Sequence, residues 1–375
     1  MSKPVIVRPL RGAAAVRILP LRIRLAANCF AYTLLASAFS LALPPQSGPR
    51  GGSGPCVIAS GGPNFVHEFA LPARYSFPSG ITAGPDGNVW FTETGTDKIG
   101  RITPDGHIAE FPLSPASGPI GIVLGPDGNL WFAEAYANKI GVMTPAGIVI
   151  AEYSIPTPNA EDRYLAKGSD GNIWFTETLG NKIGRITPRG IITEFPLPGP
   201  VNSGPQRIIA GPDGNLWFTY ASSRSDAVVR MTPGGVATQF PIPESSPLLG
   251  NELPDGITVG PDGNLWFTEL GSEIGVLTPS GSFVAQYSLL GPRSQNQGAA
   301  GIILGPDGRV YFTGRASNTI GWIVPTGVFG SYPIPSARAL PSTITLGPDG
   351  NLWFTEDSAN KVACLALQHQ RATLN

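Results

Sequence analysis

The sequence is poor in charge and lacks any helical pattern after its first 45 residues. Charged residues make up only 14% of the 375 residues, and Pro or Gly interrupts nearly every ten of them. Without a sustained 3.6-residue apolar period, a helical fold is excluded. The 48 Gly and 39 Pro approach the share found in disordered chains. However, 42% of residues are hydrophobic, in regularly spaced runs, which favours short strands joined by many turns.

The first 55 residues lack acidic side chains altogether. They contain seven cationic residues, and the 19-residue stretch from Leu25 to Leu43 is uncharged. A basic segment, an apolar segment and small residues such as Ala36 and Ala38 predict a secretory signal over residues 1–45. Such a stretch also suffices to cross a bilayer, so an uncleaved signal anchor is the alternative. Both arrangements predict an exported protein, with membrane contact only through this anchor.

The rest of the chain is acidic. Without residues 1–45 it has 19 cationic and 26 acidic residues. Nucleic-acid binding needs clustered Lys and Arg against phosphate, so this class of partner is excluded. The sequence favours a monomer that binds a small molecule or a peptide. A Gly- and Pro-rich linker is expected over residues 46–64 and a short tail over residues 368–375.

One ten-residue segment recurs seven times. Its first copy is Gly84-Pro85-Asp86-Gly87-Asn88-Val89-Trp90-Phe91-Thr92-Glu93, and the others begin at Gly125, Gly168, Gly211, Gly260, Gly305 and Gly347. The steps of 41 to 49 residues match the length of a four-stranded propeller blade. Each Pro-Asp-Gly predicts a tight turn between strand A and strand B, and strands C and D follow. The sequence therefore predicts an all-β, seven-bladed β-propeller of four-stranded antiparallel blades over residues 65–367.

The two ends of the repeat array complement each other. The last repeat lacks a strand D, whereas residues 65–72 resemble a strand D without the rest of its blade. We expect this N-terminal strand to join the last blade and close the ring, because closure pairs otherwise exposed edges. Closure also brings Cys56 near Cys364. A disulfide between them is therefore predicted, with two unrelated thiols as the alternative.

The repeat resembles that of the streptogramin B (virginiamycin B) lyase family. The resemblance rests on Gly-x-x-Gly-Pro-Asp-Gly-Asn-Leu-Trp-Phe-Thr-Glu followed by Lys-Ile-Gly-Arg-Ile-Thr-Pro, and it extends over residues 65–367. The family consists of seven-bladed propellers, and its lyase linearises a cyclic depsipeptide antibiotic by elimination at the ester linkage. The resemblance implies Mg²⁺ as a cofactor, a histidine at the start of one strand A, and nearby carboxylates.

Strands A begin and strands B end on the same face of the ring, here named the A-start face, where substrate is expected. Five residues before the first Gly of each repeat, the sequence has Ser79, Ile120, Arg163, Gln206, Asp255, Ala300 and Ser342. The resemblance implies the catalytic histidine at this position, yet none is present. We expect His67, His107 and His369 at the periphery. The predicted substrate-binding residues are Arg163, Gln206 and Tyr220.

Carboxylates recur at the end of strand B. This position holds Glu93, Glu134, Glu177, Tyr220, Glu269, Gly314 and Glu356. Five carboxylates around one opening would repel each other, and a divalent cation would relieve that repulsion. One hypothesis is therefore a Mg²⁺ site formed by Glu269, Asp255 and Glu356. The other is that these glutamates belong to the repeat and pair with the Lys that follows most of them.

Blade five is the best candidate for catalysis. Asp255 stands where the resemblance implies histidine, and Glu269 corresponds to the family carboxylate at the end of strand B. Leu253 occupies the place of the second family carboxylate, with Glu252 one residue out of register. Asp255 and Glu269 are accordingly the predicted catalytic residues. Asp255 would serve as a general base only if burial raised its pKa toward the working pH.

Two other recurrent sets are interpreted as structural. We expect the Pro-Asp-Gly aspartates to bond within their own turns and the strand B tryptophans to pack between blades. Three functions follow from the sequence. The first is a lyase-like, metal-assisted enzyme for a cyclic peptide or ester. The second is a non-catalytic propeller that binds a peptide, glycan or protein at the cell envelope. The third, a lactonase-type hydrolase, is disfavoured by the seven repeats.

Overall fold

The computed structural model describes residue 56 and residues 65–199, 204–221, 226–243, 253–289 and 297–367. These residues contain 28 β-strands and no helix. None of the described segments is therefore a helix that would span a membrane. The predicted signal segment and tail, and the linker apart from Cys56, lie outside the described residues.

Each blade is an antiparallel sheet of four strands, named A to D from the channel outward. Blade 1 comprises β2 (Pro78–Ala83), β3 (Val89–Glu93), β4 (Lys98–Ile102) and β5 (Ile108–Pro112). Blade 2 comprises β6 (Pro119–Leu124), β7 (Leu130–Glu134), β8 (Lys139–Met143) and β9 (Val149–Ser154). Blade 3 comprises β10 (Asp162–Lys167), β11 (Ile173–Glu177), β12 (Lys182–Ile186) and β13 (Ile192–Pro196). Blade 4 comprises β14 (Gly204–Ala210), β15 (Leu216–Ala221), β16 (Ala227–Met231) and β17 (Ala237–Pro241).

The remaining blades follow the same plan. Blade 5 comprises β18 (Pro254–Val259), β19 (Leu265–Glu269), β20 (Glu273–Leu277) and β21 (Phe283–Ser288). Blade 6 comprises β22 (Ala299–Leu304), β23 (Val310–Gly314), β24 (Thr319–Ile323) and β25 (Phe329–Pro333). Blade 7 comprises β26 (Pro341–Leu346), β27 (Leu352–Glu356) and β28 (Lys361–Leu365), with the N-terminal strand β1 (Val66–Ala70) beside β28.

The inner strands of consecutive blades contact one another around the whole ring, and β26 of the last blade contacts β2 of the first. The predicted seven-bladed, all-β propeller is therefore confirmed. Strand β1 pairs antiparallel with β28, with Val66 opposite Leu365 and Ala70 opposite Lys361. Thr355 Oγ1 also donates to the carbonyl of Ser79 at 2.8 Å, which links blade 7 to blade 1.

The Pro-Asp-Gly aspartates fix the A–B turn and the core at the same time. Asp86 Oδ1 accepts from Trp90 Nε1 at 3.0 Å, and its Oδ2 accepts from Asn88 Nδ2 at 2.8 Å. Burial acts to raise the pKa of Asp86, but these hydrogen bonds lower it below its ordinary value. Equivalent pairs are made by Asp127, Asp170, Asp213, Asp262 and Asp349. The structural interpretation of these aspartates and of the buried tryptophans is confirmed.

Arginines on strand C clamp neighbouring blades together. Arg101 lies over the ring of Trp90, with Cζ 5.4 Å from its centroid, and Nη1 donates to the carbonyl of Pro145 in the next blade at 3.4 Å. Arg185 and Arg230 make the same contacts in blades 3 and 4. Each clamp links strand C of one blade to the C–D turn of the next, away from the inner strands that surround the channel.

A disulfide replaces this clamp at the junction of blade 7 with blade 1. Cys364 lies opposite Trp353 in the same register as Arg101 opposite Trp90. It is bonded to Cys56, with 6.3 Å between the two Cα atoms. The backbone nitrogen of Cys56 donates to the carbonyl of Pro104 at 3.3 Å. Cys56 thus reaches the C–D turn of the next blade, as an arginine side chain does in blades 1, 3 and 4.

Candidate functional site

The repeated threonine of strand B fixes the backbone at the A-start face. Every inner strand has a register shift just after its start, as between Pro254 and Ile257 in blade 5. There Thr268 Oγ1 accepts from the nitrogen of Gly256 at 2.8 Å and donates to the carbonyl of Ala300 in blade 6 at 2.7 Å. The same relay is made by Thr92, Thr313 and Thr355. In these four blades the threonine therefore ties the start of strand A to the inner strand of the next blade.

The residue that follows each A-start residue is here named the channel position. Around the ring it is Gly80, Gly121, Tyr164, Arg207, Gly256, Gly301 and Thr343. A Cβ at any of the four glycines would lie 2.2 to 2.6 Å from a carbonyl oxygen of the next inner strand. Only glycine fits there. The other three side chains line the central channel, whose volume is about 220 Å³.

Arg207 connects four blades at this channel. Its Nε lies 3.5 Å from Asp255 Oδ1 in blade 5, and its Nη1 donates to Thr343 Oγ1 in blade 7 at 3.1 Å. Its Cζ lies 4.5 Å from the centroid of the Tyr164 ring in blade 3. The side chain of Arg207 is only 12% exposed. The structure therefore brings one predicted catalytic residue, Asp255, together with three residues that the sequence did not single out.

The predicted substrate-binding residues lie beside the channel position. Arg163 is buried, and its Nη2 donates to Glu161. Tyr220 is buried in blade 4, and its hydroxyl donates to Asn181 Oδ1 in blade 3 at 2.8 Å. Gln206 is partly buried on β14. Tyr164 and Arg207, which do line the channel, each lie one residue further along the strand. Most blades have glycine at this position, whereas these two blades have a large side chain, and that difference in the sequence would have identified them.

The strand B glutamates lie inside charged clusters between strands. Glu134 and Glu177 are fully buried. The lysine opposite each of them is ion-paired with strand D instead, as Lys139 with Glu152 and Lys182 with Glu194, both at 2.6 Å. Lys98 pairs with Glu110, and Lys361 with Glu68, in the same arrangement. These glutamates are absent from the residues that line the channel.

Burial and like charge act in the same direction on these carboxyl groups. Burial, and then the neighbouring Glu152 carboxylate, raise the pKa of Glu134 to about 7. The same causes raise the pKa of Glu177 to about 7, with Glu194 as the neighbour. Burial and the charge of Glu68 raise the pKa of Glu356 to about 8. Near neutral pH a substantial fraction of these carboxyl groups therefore holds its proton.

The three predicted Mg²⁺ ligands do not form one donor set. Asp255 has the Arg207 guanidinium beside it, Glu269 Oε1 accepts from Gln286 Nε2 at 2.9 Å, and Glu356 lies in the buried cluster of blade 7. In the part of the chain that the structure describes, no three His, Cys, Asp or Glu side chains are grouped to hold a metal ion. Glu252, the alternative carboxylate, lies outside the described residues.

The described histidines lie away from the channel. His67 is on the outer strand β1, opposite Cys364. His107 is in the C–D turn of blade 1, with its side chain 83% exposed and Nε2 3.3 Å from Asp105. His369 lies outside the described residues. Of the groups that the resemblance implies, the described site therefore retains a carboxylate at Glu269 and has no histidine.

Comparison with known proteins assigns the family. Three stretches, residues 58–200, 115–296 and 253–373, match the sequence model of the Virginiamycin B lyase family. This chain belongs to the virginiamycin B lyase family. A solved virginiamycin B lyase from Staphylococcus aureus is 35% identical, with a TM-score of 0.72 over 80% of this chain and 99% of that one. A catalytically inactive variant of that enzyme, with one histidine replaced by alanine, has been solved with quinupristin and matches equally well.

A second relative matches over a short segment. The virginiamycin B lyase of Bordetella pertussis is 46% identical over 39 residues, which is 10% of this chain and 13% of that protein. This chain therefore matches about one eighth of that relative's length. Family membership is established by the longer matches, and activity follows only from the site.

Proposed function

We propose that this member of the virginiamycin B lyase family is an exported propeller that binds a peptide-like or ester ligand where the channel meets the A-start face. The contacts of Arg207 with Asp255, Tyr164 and Thr343 carry this proposal. They bring polar groups from four blades to one point in a channel that isoleucine, valine and leucine side chains also line. A few convergent polar groups in an apolar concavity are the usual features of small-ligand sites.

Binding is favoured over the reaction of the relatives by the identity of the A-start residues. Asp255 replaces the histidine that the family resemblance implies, and its carboxylate faces the guanidinium of Arg207 at 3.5 Å. A general base must lie within hydrogen-bond reach of the proton that it removes and must not be committed elsewhere. The arrangement at Asp255 therefore supports holding a ligand better than abstracting a proton from it.

The Mg²⁺ expectation finds no support in the donor set. Hard cations need several oxygen ligands around one point. Asp255 lies beside a cation, and Glu356 is buried next to Glu68 in blade 7. Among the residues that the structure describes, the proposed ligands do not fit the metal, so we assign no step to it.

Export is part of the same proposal. It rests on the basic and apolar composition of residues 1–45 and on the bond between Cys56 and Cys364. Structural disulfides persist in oxidising compartments and are rare in the cytosol.

A second candidate is a carbon–oxygen lyase for a cyclic depsipeptide or related ester. It is favoured by 35% identity along 99% of the S. aureus virginiamycin B lyase. In that case Asp255 would have to replace the histidine as general base, with Glu269 as the retained carboxylate.

One experiment separates the two candidates. The mature protein is mixed with quinupristin, in Mg²⁺ or in EDTA, and binding is measured by calorimetry while products are followed by chromatography and mass spectrometry. We expect binding without conversion. An elimination product has the same mass as the cyclic substrate, whereas hydrolysis adds one water. An isomeric linear product would establish the lyase. Failure to bind quinupristin or any of a panel of linear peptides would refute the binding proposal.

A further inference from the structure

Arg207 is the only charged residue among the seven channel positions. The wall around it includes apolar side chains such as Ile208, Ile257 and Ile344, the backbone of the glycines, and two threonines. A fixed charge in such surroundings attracts an opposite charge more strongly than it would in water. Asp255 at Nε offsets part of this charge, so a negatively charged oxygen would be held at the Nη nitrogens.

The guanidinium of Arg207 is held in place before any ligand arrives. The Tyr164 ring stacks on it at 4.5 Å, Asp255 lies at its Nε edge, and Thr343 accepts from Nη1. These three contacts come from three other blades of a rigid ring. Rigid groups lose little conformational freedom on binding, and the guanidinium fork matches the two oxygens of a carboxylate.

The size of the channel limits what can reach Arg207. Its volume of about 220 Å³ lies below the range of roughly 300 to 1,000 Å³ that is usual for sites enclosing a whole small ligand. A single terminal group fits, whereas the body of a peptide must remain outside. The group at Arg207 must therefore be narrow and must project from the rest of the ligand.

We propose that Arg207 binds a carboxylate that projects from the ligand, such as the C-terminus of a peptide or an acidic side chain. A ligand oxygen takes the place of Thr343 Oγ1 at Nη1, while Asp255 keeps the guanidinium oriented through Nε. No divalent cation is required. This inference rests on the proposed binding function and specifies the class of ligand.

Two matched probes test the charge requirement. N-acetyl-phenylalanine and its C-terminal amide differ only in the carboxylate, and their binding to the mature protein is titrated by saturation-transfer NMR in the presence of EDTA. We expect the acid to bind roughly tenfold to a hundredfold more tightly than the amide, the range for a charge-assisted hydrogen bond.

Arg207→Met should abolish the preference for the acid, and Arg207→Lys should retain part of it, because lysine keeps the charge without the fork. Arg101→Met is the matched control, since Arg101 lies over Trp90 and clamps the C–D turn of the next blade. Circular dichroism of each variant verifies folding. Equal binding of acid and amide by the wild type would overturn the carboxylate site and leave peptide binding intact. A preference that survives in Arg207→Met would overturn it as well, and absence of binding by both probes and by linear peptides would overturn both proposals.

Discussion

The fourth residue of strand B is Thr in six of the seven blades, whereas the channel position of strand A holds four different residue types. The threonine bridges two backbones with the same geometry in every blade where its relay forms, so one residue serves repeatedly. The channel position faces a space that all seven blades share. Because that space is small, most blades must carry glycine there, and only three contribute a side chain.

The carboxylates show the same contrast. Glutamate recurs at the end of strand B, and those in blades 1, 2, 3, 5 and 7 are buried between packed elements. Asp255 occurs once at its position and contacts a channel residue. In this ring, residues that recur from repeat to repeat serve packing, whereas residues that differ from the repeat form the candidate site.

The largest effect is expected at the ring junction, where a disulfide takes the place of the arginine clamp. Replacing both Cys56 and Cys364 with Ser should lower the free energy of unfolding by about 4 kcal/mol, because the bond restrains two residues 308 apart in sequence. Urea denaturation of the protein measures this change. A loss below about 1 kcal/mol would show that the pairing of β1 with β28 closes the ring unaided.

The next effect concerns the glycines of the channel position. Gly80→Ala should cost about 3 kcal/mol, because the new Cβ would lie 2.3 Å from the backbone carbonyl oxygen of Ile120. Gly234→Ala is the control, since the nearest atom to its Cβ is 3.7 Å away. We expect the control to change stability by less than about 0.5 kcal/mol in the same urea titration. Equal stabilities would mean that the inner strands can move apart, contrary to a closely packed channel.

The buried glutamates should make stability fall as pH rises. The pKa of Glu177 is raised to about 7 in the folded protein from an ordinary 4.5, so the folded state binds more protons than the unfolded state between these values. Stability is then greatest near the lower value and declines toward pH 8. The loss should be roughly 3 kcal/mol for each of Glu134, Glu177 and Glu356, because each unit of pKa change corresponds to about 1.4 kcal/mol.

Two variants of the blade 3 cluster test whether stability falls or rises with pH. Glu177→Gln should flatten the decline between pH 5 and pH 8, because the group that loses its proton is gone. Glu194, in the same cluster, is the opposite case: burial acts to raise the pKa of its carboxyl, but hydrogen bonds from Lys182 and Thr157 lower it overall. Glu194→Gln should therefore lower stability throughout pH 5 to 8, with the loss shrinking only when the pH falls below the ordinary value of 4.5. Thermal unfolding followed across this range gives both profiles, and identical profiles would contradict the assignment.

The sequence predicts the fold well because the repeat encodes local geometry. The Pro-Asp-Gly turn and the tryptophan four residues beyond its aspartate form one hydrogen-bonded unit, as Asp86 and Trp90 do. Seven copies of that unit at the spacing of a propeller blade predict a seven-bladed propeller. The partner strand for β28 also follows from the sequence, because the last repeat has no strand D of its own.

The site is predicted less well because it depends on which way a side chain points just after a register shift. The shift between Pro205 and Ile208 directs Arg207 to the channel, and the sequence pattern favoured Gln206 instead. The contact between Arg207 and Thr343 spans 136 residues. No local spacing indicates such a contact. Comparing the seven equivalent positions would have shown that glycine is replaced three times.

The smallest effect is expected where blades already differ at the periphery. Arg101→Val should lower stability by about 1 kcal/mol, because it removes the contact with the Trp90 ring and the hydrogen bond to Pro145. Blade 2 carries Val142 in this register, opposite Trp131, so the fold already accepts valine there. The same urea titration measures the loss in Arg101→Val. A loss of free energy of unfolding as large as that in Gly80→Ala would contradict this prediction. That result would show that the outer strands tolerate substitution no better than the channel, and the contrast between the two regions would fail.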